Sequence, residues 1–130
     1  NPKSETTAKS TAWLPMRLFE SFMAIIAVGA ISASGTVDAK LEQAKDASGT
    51  GAKDVTGKAI TQLTQAGTDS DKQALINCQS EDLDVIGGFN HVRLTITPAT
   101  AAALIFGVLF GLDCRYPPGT DATTVDEVVG

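Results

Sequence analysis

The chain has 130 residues, one domain's worth, with a net charge of −5, 43% hydrophobic residues and 5% aromatic ones. No cluster of Lys and Arg is present to neutralise phosphates, which excludes nucleic acid as the expected partner. One His, and no G-x-S-x-G, phosphate loop, H-E-x-x-H or C-x-x-C pattern, argues against an enzyme.

Residues 1–12, NPKSETTAKSTA, are polar and read as a tail. The chain starts at Asn1 rather than Met, which suggests a processed precursor. Residues 13–35 follow as an apolar segment, WLPMRLFESFMAIIAVGAISASG, read as a first transmembrane or signal-anchor helix. Trp13 and Arg17 suit the headgroup level, Pro15 suits a helix start, and Glu20 falls near the interface. From Met16 the same segment has the shape of a secretory signal, with Arg17, an apolar stretch and Ser32-Ala33-Ser34-Gly35.

Residues 36–93 read as a polar connector. Val37, Leu41 and Ala44, then Val55, Ala59, Ile60, Leu63 and Ala66, recur at three- and four-residue intervals, the period of amphipathic helices. This spacing predicts helices over 37–47 and 52–66, with a third over 71–79. His91, the sole histidine, falls at the end of the connector beside Arg93. Neutral imidazole can ligate haem or chlorophyll, but no second histidine or cofactor motif accompanies it, and no cofactor is expected.

Residues 94–112, LTITPATAAALIFGVLFGL, hold no ionisable side chain. As a helix this run would extend about 28 Å, close to the hydrocarbon thickness of a bilayer. It contains Gly107 and Gly111 in a G-x-x-x-G arrangement, and Gly29 with Ala33 offers a similar small-residue face in the first segment. Cys78 and Cys114 would lie on opposite sides of such a span and stay unpaired. Residues 113–130, with Arg115 and Tyr116 at the interface and Pro117-Pro118 after them, read as an extended acidic tail.

These features together predict an all-α integral membrane protein, two transmembrane helices joined by a partly helical connector. The expected function is a non-catalytic structural or accessory subunit of a larger membrane complex, energy-transducing complexes among the candidate hosts. The expected partners are other membrane subunits, or copies of itself, and the lipid bilayer. The alternatives are a self-assembling pilus, filament or virion coat subunit, and an exported, membrane-tethered helical module.

Overall fold

Val37, Ala39, Leu41 and Gln43 alternate with Asp38, Lys40 and Glu42, and the first set is buried while the second faces outward. Val92, Leu94 and Ile96 alternate in the same way with Arg93, Thr95 and Thr97. A period of two puts successive side chains on opposite faces of a strand. The computed structural model, which describes residues 2–114, is built from such strands.

The strands are β1 (Lys3–Glu5), β2 (Lys9–Ser10), β3 (Leu14–Pro15), β4 (Phe19–Ile31) and β5 (Thr36–Ala44). They continue as β6 (Lys53–Ala59), β7 (Leu63–Thr64), β8 (Lys72–Gln79), β9 (His91–Ala99) and β10 (Ala103–Cys114). Two single-turn 3-10 helices, Met16–Leu18 and Ser80–Asp82, are the helical elements among the described residues.

A four-stranded sheet has the order β1-β10-β4-β8, and a six-stranded sheet has β2-β9-β5-β6 with β3 beside β9 and β7 beside β5. Every pairing is antiparallel. The inner faces of the two sheets share one apolar core. Phe22 and Ile26 of β4 and Cys78 of β8 meet Val37 and Leu41 of β5 and Val92 and Leu94 of β9, all fully buried. Full burial of a Val, Leu, Ile or Phe side chain contributes about 1.5–3 kcal/mol. This shared core makes the fold a β-sandwich.

The turns show why the helices predicted over 37–47 and 52–66 do not form. Asp46 Oδ1 accepts from the amides of Ser48 and Thr50 at 2.9 and 3.1 Å, and Lys45 N donates to Thr50 O at 3.0 Å. Gly49 and Gly51 supply the positive φ angles of 84° and 67° that this reversal requires. The chain thus folds back from β5 into β6, and the three- and four-residue spacing of Val37, Leu41 and Ala44 is incidental to an underlying alternation. The helix predicted over 71–79 is likewise β8.

The all-α expectation is therefore overturned, and with it the two transmembrane helices. The uncharged run over 94–112 is two strands, β9 and β10, separated by a bend where Thr100 has φ 67°. β9 lies in the six-stranded sheet and β10 in the four-stranded one. The run lacks charge because the outward positions of β9 are Thr95 and Thr97, and those of β10 are themselves apolar. The 13–35 segment is β3, a 3-10 turn and β4, ending in a turn where Ser34 has φ 64° and Gly35 N donates to Ser32 O at 2.8 Å.

No helix among the described residues is long and apolar enough to cross a membrane. The integral-membrane localisation, the membrane-complex subunit, the helical filament or coat subunit and the tethered helical module all depended on such helices, and they fall together.

Candidate interaction face

The two outer faces of the sandwich differ in chemistry. On the six-stranded sheet, Glu42 of β5 is paired in register with Arg93 of β9. Arg93 Nε donates to Glu42 Oε2 at 2.7 Å, and Thr95 Oγ1 donates to the same oxygen at 2.7 Å. Ser10 extends the chain to Thr95 at 2.8 Å. Lys40 bridges Asp54 at 2.6 Å and lies 3.7 Å from Glu42. The Arg93 guanidinium also stacks 4.4 Å from the Trp13 ring.

Burial alone would raise the Glu42 carboxyl, but hydrogen bonds from Thr95 and Arg93, and the charges of Arg93 and Lys40, outweigh it and hold the group below its ordinary value. The hydrogen bond to Asp54 raises Lys40. Lys40, Glu42, Arg93 and Asp54 form one ion network on this face, and Asp38 beside them accepts from Gln62 Nε2 at 2.7 Å.

Beneath it, the buried Gln43 amide is satisfied at both ends. Its Nε2 donates to Asp54 O at 3.3 Å, and its Oε1 accepts from Asp84 N at 2.8 Å.

The four-stranded sheet is the opposite case. Its outward residues on β4 are Ser21, Met23, Ile25 and Ala27, alternating with the buried Phe22, Ala24, Ile26 and Val28. On β10 they are Phe106, Val108, Phe110 and Leu112, and on β8 they are Gln73, Leu75, Asn77 and Gln79. Not one of these positions carries a charge.

Register assembles them into rows. Ile25 stands between Val108 and Leu75, Met23 between Phe110 and Asn77, and Ala27 between Phe106 and Gln73. Leu75 is 60% exposed, Phe110 44%, Leu112 39% and Phe106 38%. Of the large apolar side chains exposed among the described residues, only Val85 and Ile86, in the loop after the second 3-10 turn, lie elsewhere.

A strand face of this length, at about 3.4 Å per residue and 4.8 Å between strands, covers about 400 Å². Its apolar part, carried by β4, β10 and Leu75, is contiguous, and the largest such patch on a monomer is often functional.

The other chemistry-bearing groups do not converge. Cys78 is buried in the core, and its surroundings, chiefly burial and then the Asp82 charge, push its thiol up to about 11. Cys114 is exposed, and both cysteines are free. They sit on strands flanking β4, not on opposite sides of a span. Among the described residues no group of three His, Cys, Asp or Glu side chains is placed to hold a metal ion. A cleft of about 390 Å³ opens between the sheet edges, floored by Leu94, Ile96 and Ile105. At its mouth Lys9 pairs with Glu5 at 3.2 Å.

The residues singled out from sequence are scattered by this fold. Gly107 and Gly111 do share one face of their element, but it is the inner face of a strand. A Cβ on Gly107 would press into Ile96 Cδ1 and come within 3.0 Å of Leu94 Cδ2, and one on Gly111 would press into the Phe19 ring. Their close neighbour is the molecule's own interior.

Gly29 faces outward on β4, where a Cβ would meet Leu104 Cδ2 at 2.8 Å, and Ala33 is exposed in the turn after β4. The interface roles assigned to Trp13, Arg17, Glu20 and Arg93 depended on transmembrane helices, and these residues lie instead on or beside strands. Trp13 packs on Arg93 and Gly49, Arg17 lies in the first 3-10 turn, and Glu20 is exposed at the start of β4. His91 begins β9, its Nδ1 hydrogen-bonded to Asn90 Oδ1. Arg115 and Tyr116 lie outside the described residues.

The sequence reading missed Met23, Ile25, Leu75, Phe106 and Phe110 as members of one surface. The available signal was parity: β5 and β9 are apolar at alternate positions, whereas β4 and β10 are apolar at both.

Comparisons of the chain with protein-family models, with curated proteins and with solved structures gave no match.

Proposed function

We propose that this chain is a non-catalytic protein-interaction module, a β-sandwich that docks through the outer face of its four-stranded sheet onto an apolar protein surface. The observation that carries this reading is the absence of charge from the outward positions of β8, β4 and β10, in a chain of net charge −5. Interface centres are depleted in charge and enriched in aromatic and Met side chains, and Met23, Phe106 and Phe110 occupy this face. Half-exposed Phe110 and Leu75 would each contribute roughly 1 kcal/mol or more on covering, taking the exposed fraction of a full burial. The six-stranded sheet, with its ion network and the Asp38 carboxylate on its outer face, remains in water. The acidic net charge and the absence of a basic patch support a protein partner over nucleic acid.

The test is site-specific photo-crosslinking in the cells that make the protein, with the photoreactive residue at position 110 or, on the other sheet, at position 38. A discrete protein adduct from position 110 and none from position 38 is expected. No adduct from position 110, or equal yields from both, overturns the reading.

A further inference from the structure

We infer that the occupant of the uncharged sheet face is a second copy of this chain, the two faces meeting about a two-fold axis. This rests on the interaction reading above and adds the identity of the partner.

Three observations support self-pairing. The first is charge. A two-fold contact brings a patch onto its own image, so any charge near the axis meets its like. The outer face of the six-stranded sheet, with Asp38, Lys40, Glu42 and Arg93, would set such charges against one another. The β8-β4-β10 face carries none and can approach its image without that cost.

The second is the polar margin. Along β8 the apolar Leu75 is flanked by Gln73 and Asn77, both exposed and on the same side of the strand, while the Gln79 side chain caps the 3-10 turn that follows. A carboxamide both donates and accepts, so a row of them can hydrogen-bond to an identical row, which a row of carboxylates or ammonium groups cannot do. The apolar rows of Met23, Ile25, Val108 and Phe110 lie beside this margin, the pattern of a dry centre and a polar rim.

The third is area. The face of about 400 Å² in plane amounts to about 800 Å² for a pair before the relief of the exposed Leu75, Phe106, Phe110 and Leu112 side chains is added, which is the range of small, weak protein–protein interfaces. Sheets stacked face to face lie about 10 Å apart with strands near 30° to one another, a geometry open to both copies because the face is a regular strand surface.

The experiment is sedimentation equilibrium of the purified full chain, beside Leu75→Lys and Phe110→Lys. Both positions are substantially exposed, so the variants fold, and unchanged far-ultraviolet circular dichroism checks this. A mass of twice the chain is expected for the unsubstituted protein. Each lysine should raise the dimer dissociation constant by about tenfold or more, because it places a charge opposite an apolar centre. The lysine variant Asp38→Lys, on the other sheet, should leave the dimer unchanged.

A single-chain mass at all concentrations overturns the inference, as does a dimer that Asp38→Lys weakens and Phe110→Lys does not. A photo-crosslink from position 110 that joins it to residues 115–130 of the same chain also overturns it. If the purified chain is a monomer but position 110 still crosslinks a different protein in cells, self-pairing fails while the interaction reading stands. If position 110 crosslinks nothing, both fail.

Discussion

Replacing Gly107 with Val puts three carbon atoms where β10 lies against Ile96 and Leu94 of β9 in the opposite sheet. The backbone at Gly107 is ordinary strand, without the positive φ found at Gly49 or Gly51, and Val is a favourable strand residue. Any loss of stability therefore measures the collision. The first added atom already presses into Ile96 Cδ1 and sits 3.0 Å from Leu94 Cδ2; both neighbours are buried, but they also floor the cleft between the sheet edges, so rotation of Ile96 into that space sets the low end of the cost.

Overpacking of this kind costs about 1–3 kcal/mol. For a domain of this size each kcal/mol lowers Tm by about 4 °C, so a fall of about 4–12 °C is expected. Trimming Ile96 to Val removes the Cδ1 atom in the way. Alone it should cost about 0.5–1.5 kcal/mol, but combined with Gly107→Val it should restore part of the loss, giving a favourable coupling of at least about 0.5 kcal/mol. Urea denaturation of the four proteins measures the cycle. Strictly additive losses, or a Gly107→Val protein within about 0.5 kcal/mol of the parent, would refute the sheet-on-sheet contact.

Burial of the Cys78 thiol, with its pKa raised to about 11, makes it unreactive toward a thiol reagent at pH 8 in the native protein, while exposed Cys114 reacts; two equally fast thiols would contradict the placement of β8. Because the folded value exceeds the ordinary 9.0, Cys78 supplies stability that is whole below pH 9 and is lost as pH rises toward 11, a slope that Cys78→Ala should reduce in pH-dependent denaturation. Glu42 has the opposite sign: its lowered value gives stability that is present above 4.5 and lost as pH falls through the folded value, so Glu42→Gln should flatten the acid limb of the melting profile, and an unchanged limb would refute the role of Arg93 and Thr95. Removing the buried amide with Gln43→Ala strips the Asp84 N–H of its acceptor and should cost about 1–3 kcal/mol, with faster hydrogen exchange at that amide; unaltered exchange would count against the contact.

How far the chain announces this fold depends on which strand is read. β5 and β9 write the sandwich openly, since Asp38, Lys40 and Glu42 alternate with Val37, Ala39 and Leu41. The competing three- and four-residue spacing arises because Val37 and Leu41, four apart, fit either period, and Ala44, buried out of phase beside Gln43 at the end of β5, adds the three-residue step. β4 and β10 conceal themselves for a physical reason. One face of each fills the core and the other is apolar as well, so neither strand shows alternation and each has the hydropathy of a membrane helix. The feature that misdirected the reading is the candidate interaction face itself. Gly107 and Gly111 were legible as points of close approach, but a spacing of four lies on one face of a strand as well as of a helix, and the sequence alone does not distinguish the two. Cross-strand neighbours such as Ile25 with Leu75 and Val108 depend on register across more than forty residues, which no local pattern carries.

Hydroxyl-radical footprinting of the assembled protein tests the interaction face most directly, because the two methionines report on it independently. Met16 is 5% exposed within the core, whereas Met23 stands outward beside Phe110 in the middle of the uncharged face. Oxidation should be slow at Met16 at every concentration and should slow several-fold at Met23, Phe106 and Phe110 as copies associate, with Trp13 on the other sheet unchanged. Equal oxidation of Met23 in the assembled and dilute protein, or protection appearing at Trp13 instead, would contradict the assignment of this face.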